Sequence, residues 1–86
     1  MKTTERLIEK KRLRGYELRY YIIETLGEIT FYGIKIEIFT DDGYSDVETV
    51  LGVSGSKEKT LEIIEKLKKG TVTPATLVYI LDDLTE

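Results

Sequence analysis

The stretch Ile29–Thr40, ITFYGIKIEIFT, constrains this chain more than any other. Side chains of a β-strand alternate between two faces, and here Tyr32, Ile34, Ile36 and Ile38 fall on one of them. The other face carries Phe31, Gly33, Lys35, Glu37 and Phe39, a mixture of charge and two phenylalanines. A strand of this kind needs neighbours to pair with and a cover for its isoleucine face. The rest of the chain has the material for both.

Tyr16–Thr25, YELRYYIIET, is rich in aromatic and β-branched residues, the composition of a second strand. Tyr16, Leu18, Tyr20 and Ile22 share one face; Glu17, Arg19, Tyr21 and Ile23 share the other. Gly27, in the Leu26–Gly27–Glu28 step, offers the positive φ of a tight hairpin into the isoleucine strand. Thr40–Asp41–Asp42–Gly43–Tyr44 is a hairpin signal at the other end, leading into a strand over about Tyr44–Val53. The segment Arg6–Leu13 fits neither period, because Leu7, Ile8 and Leu13 form no helix stripe and no strict alternation. Thr4 would cap a short helix there, but Arg14–Gly15 resembles a turn before a strand, and strand is the favoured reading.

Ser54–Gly55–Ser56 ends the strands, and Ser56 is placed to cap a helix over Lys57–Lys69. Leu61, Ile64 and Leu67 make its apolar stripe, widened by Ile63. Glu58 and Glu62 come early, and Lys66, Lys68 and Lys69 come late, as the helix dipole favours. Gly70 suits the left-handed residue after the helix. Thr73 then caps a second helix with Pro74 at its first position, and Val72 and Leu77 form a hydrophobic staple. Leu77, Ile80, Leu81 and Leu84 supply its stripe.

Strands first and helices after argue an α+β fold: a three- or four-stranded antiparallel meander sheet followed by two α-helices packed on one face. Eighty-six residues allow one domain, 1–86, with the sheet over 6–53, the helices over 56–84 and residues 1–5 left loose.

Tyr32–Gly33–Ile34 together with Thr71–Val72–Thr73–Pro74 and Leu77 resembles a family of small proteins of unknown function from Firmicute bacteria. Its pattern is an aromatic-rich strand, a Y-G-I strand, a Ser-led helix and a T-V-T-P-x-x-L helix start. The resemblance covers most of residues 16–84 and implies no activity.

Catalysis has little to work with. The chain has no His and no Cys, the commonest general base and the strongest common nucleophile. Ser54–Gly55–Ser56 matches neither a nucleophile elbow nor a phosphate-binding loop. Asp41, Asp42 and Asp46 lack the spacing of a calcium loop, and turn chemistry explains the first two. Asp82, Asp83 and Glu86 are a charged end rather than a metal cluster. The expectation is therefore a protein that is not an enzyme, with no cofactor and no metal site.

No apolar run approaches the ~18 residues of a membrane span, and MKTTERLIEKKRLRG lacks the apolar core of a signal peptide. These features point to a cytoplasmic protein without membrane contact. Charge is uneven: residues 1–20 hold seven basic and three acidic groups, residues 21–86 six and thirteen.

Two functional readings remain. In the first, Tyr21, Ile23, Phe31, Lys35, Glu37 and Phe39 form a sheet face too apolar to stay bare. The protein is then an interaction module, forming a homodimer or binding another protein through that face or through a sheet edge. In the second, Lys10, Lys11, Arg12, Arg14 and Arg19, beside strand aromatics, hold single-stranded nucleic acid. A pI near 5.0 weighs against the second.

Overall fold

The computed structural model describes residues 2–85. Met1, the first of the residues expected to be loose, and Glu86, of the C-terminal acids, lie outside the described residues. Four antiparallel strands form one sheet in the order β1 (Lys2–Leu13), β2 (Tyr16–Leu26), β3 (Phe31–Thr40) and β4 (Ser45–Ser54). Helix α1 (Lys57–Lys69), a 3-10 turn (Pro74–Thr76) and helix α2 (Leu77–Thr85) follow. This is the expected meander, in its four-stranded form. The loose segment is corrected: Lys2–Glu5 pair with Leu26–Ile23 and belong to β1.

Helices and sheet meet on one side. Leu18, Tyr20 and Ile22 of β2 and Ile34 and Ile36 of β3 pack with Ile63, Ile64 and Leu67 of α1, and with Val72, Leu77 and Leu81. Burying each such side chain contributes roughly 1.5–3 kcal/mol, and this layer is the core of the domain. The buried stripe of α1 runs through Thr60, Ile63, Ile64 and Leu67, with Leu61 at its margin. Thr60 is tolerated inside because its hydroxyl donates to the Ser56 carbonyl over 2.8 Å. Ser56 caps α1 as expected, its Oγ accepting from the Lys59 N–H over 3.1 Å.

Several local expectations are corrected. Ile29 and Thr30 lie outside β3, so the β2–β3 connection is a loop over 27–30 rather than a tight hairpin. Gly27 is not among the positive-φ glycines, whereas Gly15 and Gly43 are, in the other two turns. After α1 the left-handed residue is Thr71 (φ 53), and Gly70 sits one place earlier in a right-handed conformation. Thr71 N–H bonds the Lys68 carbonyl and Val72 N–H the Leu67 carbonyl, which together form a Schellman motif. Thr73 makes no side-chain cap, and Pro74 opens the 3-10 turn instead of the helix itself.

Two bulges set which way side chains point. Leu7 pairs with Tyr21 and Glu9 with Tyr20, which leaves Ile8 as an extra residue in β1. Alternation therefore reverses at Ile8, and this is why residues 6–13 fit no single period. In the β3–β4 ladder, Tyr32 pairs with Ser54 and Ile34 with Val50, so Gly33 alone faces Leu51, Gly52 and Val53. Gly52 takes φ +67 in that bulge. A Cβ on Gly33 would meet the Val50 carbonyl oxygen at 2.5 Å, so glycine is required there for close backbone approach.

Candidate interaction surface

The sheet face away from the helices is built by alternation. From β2 it takes Glu17, Arg19, Tyr21, Ile23 and Thr25; from β3 it takes Phe31, Gly33, Lys35, Glu37 and Phe39. All six residues singled out on the sequence, Tyr21, Ile23, Phe31, Lys35, Glu37 and Phe39, are brought together on it. From β1 come Glu5 and Leu7 before the bulge and Lys10 and Arg12 after it. From β4 come Val47 and Thr49 by pairing, and Leu51 enters from the bulge, its Cα 2.9 Å from where a Gly33 Cβ would stand. No element of the described residues covers this face, since the helices pack on the other.

Its centre is a lattice of mutually satisfied polar groups. The Lys35 ammonium pairs with the Glu5 carboxylate at 3.0 Å and lies 4.7 Å above the Tyr21 ring. The bond to Glu5 raises the Lys35 pKa. The Tyr21 hydroxyl donates to Glu37; desolvation, and then that bond, raise the Tyr21 pKa. Arg19 donates from Nε to Glu17 at 2.5 Å while its guanidinium stacks 4.5 Å over Phe39. The hydrogen bond from Arg19 lowers the Glu17 pKa.

The apolar residues divide into support and contact. Ile23 is only 3% exposed on this face, and it pairs with Gly33, against which the β4 backbone at Val50 and Leu51 closes. Phe31 is 44% exposed and Leu51 58%, and Leu7 and Val47 are also exposed. Val47 and Leu51 were legible in the β4 alternation, with Asp46 and Glu48 on the other side. Leu7 was not, because the bulge beside it breaks the period.

The basic residues separate. Lys10, Arg12 and Arg19 are on the open face and Arg14 is in the β1–β2 turn. Arg12 pairs with Asp41 at 2.6 Å. Lys11 points to the helix side, where its ammonium donates to the Lys68 carbonyl at 2.8 Å and to the Thr71 hydroxyl at 2.7 Å. It ties β1 to the end of α1. Of the turn acids, Asp42 accepts from the Tyr44 N–H at 3.3 Å and from the Thr40 hydroxyl, and the latter bond lowers its pKa.

Residues 1–86 match DUF6514, a family of unknown function. The chain belongs to that family. No curated protein and no solved structure matches it. The open face of this DUF6514 chain is thus described by its own chemistry: an ion-paired centre bordered by exposed Leu7, Phe31, Val47 and Leu51. No helix among its described residues is long and apolar enough to cross a membrane.

Proposed function

We propose that this DUF6514 protein is a small, non-catalytic interaction module of the bacterial cytoplasm that self-associates by stacking its open sheet face on that of a second copy. The observation that carries this reading is an uncovered face on which Leu7, Phe31, Val47 and Leu51 are all exposed. The charges at its centre do not oppose burial, because Lys35, Glu37, Arg19 and Glu17 each have a partner within the chain. Four strands at ~4.8 Å spacing and ten residues at ~3.3 Å rise present roughly 600 Å² per copy. Two copies would bury about 1,200 Å², the lower end for a stable interface.

The face is favoured over the sheet edges. The outer strand β1 carries Lys, Arg and Glu along its length and a bulge at Ile8, and β4 is bulged at Gly52; these devices deter edge pairing. Absence of His and Cys from the sequence supports a role without catalysis.

Sedimentation at micromolar concentration tests the proposal. We expect twice the 9.9 kDa chain mass, and a folded monomer when Phe31→Ser and Leu51→Ser are combined. A wild-type monomer at that concentration overturns the reading. Single-stranded nucleic-acid binding is the competing reading, supported by Lys10, Arg12 and Arg19 sharing the face with Tyr21 and Phe39. Salt-sensitive retention on single-stranded RNA or DNA, lost in Lys10→Gln with Arg12→Gln, would favour it instead.

A further inference from the structure

On the helix side, a cavity of about 210 Å³ opens where the start of α1 leaves the early part of β1 uncovered. It is lined by Thr4 and Arg6 of β1, Ile22 and Glu24 of β2, Tyr32 of β3 and Lys57 of α1. Ile22 is buried and forms an apolar floor. Arg6 stands opposite Ile22, and Glu24 pairs in register with both Thr4 and Tyr32, so the polar groups rim that floor.

The charges of this cavity are unbalanced. Arg12, Arg19, Lys35 and Lys68 each make an ion pair. Arg6 and Lys57, like Lys2, Lys10, Arg14, Lys59, Lys66 and Lys69, make none among the described residues, and these two converge on one cavity from different elements. Glu24 supplies a single carboxylate beside them. A phosphate monoester carries about −1.5 to −2 at neutral pH, which matches two free cations better than a carboxylate does. The volume lies below the roughly 300–1,000 Å³ of drug-sized pockets, so the ligand is small.

We propose that this cavity binds a small phosphate monoester bearing a hydrogen-bond donor, with the phosphate held between Arg6 and Lys57 and the donor directed to Glu24. The proposal is independent of the open face, which lies on the opposite side of the sheet.

Titration of the whole chain by amide NMR at fixed ionic strength tests it, with inorganic phosphate and O-phosphoethanolamine as probes. We expect saturable shifts at Thr4, Arg6 and Lys57, with phosphoethanolamine binding several-fold tighter than phosphate. Arg6→Gln or Lys57→Gln should each weaken both probes about tenfold, and Glu24→Gln should erase the difference between them. Arg6 and Lys57 are exposed, so these variants keep the fold, and unchanged shifts elsewhere in their spectra verify this. Non-saturating shifts, shifts centred on Arg12 and Arg14, or saturation unaffected by both cation variants would overturn the assignment.

Discussion

The Tyr20 hydroxyl donates to the backbone carbonyl of Val72 over 3.0 Å, inside the core. This bond links the centre of the sheet to the segment joining the helices, 52 residues away in sequence. Tyr20→Phe keeps the ring and removes the donor, leaving the buried Val72 carbonyl short of a partner. Such a loss costs about 1–3 kcal/mol. Urea unfolding should show that decrease with an unchanged denaturant slope.

The same tyrosine makes stability fall at high pH. Burial, and secondarily Tyr16, push its pKa from 10.0 up to about 12. A raised folded-state value means the neutral phenol is favoured by the fold. Its contribution is therefore complete below pH ~10 and lost as pH rises from there through ~12, roughly 2–3 kcal/mol in all. Melting temperatures measured between pH 9 and 12 should drop more steeply for the wild type than for Tyr20→Phe.

Gly33 and Gly55 should differ sharply in their response to alanine. At Gly33 a Cβ would lie 2.5 Å from the Val50 carbonyl oxygen and 2.9 Å from Leu51 Cα, both backbone atoms unable to yield. Gly33→Ala should cost at least the ~1–3 kcal/mol of an overpacked site and weaken amide protection in β4. At Gly55 the nearest atom is the Thr30 carbonyl at 4.0 Å. Gly55→Ala should stay within about 0.5 kcal/mol of wild type. Hydrogen exchange and urea melts on the pair distinguish crowding from a general glycine effect.

Thr71 holds a left-handed conformation that a β-branched residue rarely adopts, and the Lys11 ammonium bonds its hydroxyl at 2.7 Å. The backbone cost and the side-chain gain oppose each other. Thr71→Gly should be close to neutral in the wild type, because it relieves one and forfeits the other. In a Lys11→Met background it should stabilise by up to about 1 kcal/mol. Lys11→Met alone should cost about 1 kcal/mol, since the Thr71 hydroxyl loses its bond while the Lys68 carbonyl keeps the Thr71 N–H. A double-mutant cycle from thermal or urea unfolding measures the coupling.

Where sequence and structure agree, the cause is local. Ser56 caps α1 because a hydroxyl three residues before a free N–H can reach it. Gly43 takes positive φ between two strands, as an Asp–Gly turn requires. Where they differ, a partner from elsewhere in the chain decided. Gly70 is better suited than Thr71 to the left-handed position, yet Thr71 takes it, and its hydroxyl is the one that Lys11 reaches. The candidate face was legible for the same reason as the turns: in β2 and β3 the alternation is unbroken from Tyr16 to Ile23 and from Phe31 to Phe39.

Sequence alone determined the order of three or four strands followed by two helices, the apolar faces of β2 and β3 and the cap of α1, because period-two alternation and capping act over a few residues. Tertiary structure decided the reversal at Ile8, the burial of Ile23 beside Gly33 and the turning of Lys11 toward α1 while Lys10 and Arg12 face the other way. Each of these depends on strand pairing or on a contact across the fold. A bulge exists only relative to the strand it fails to match, and no single segment records it.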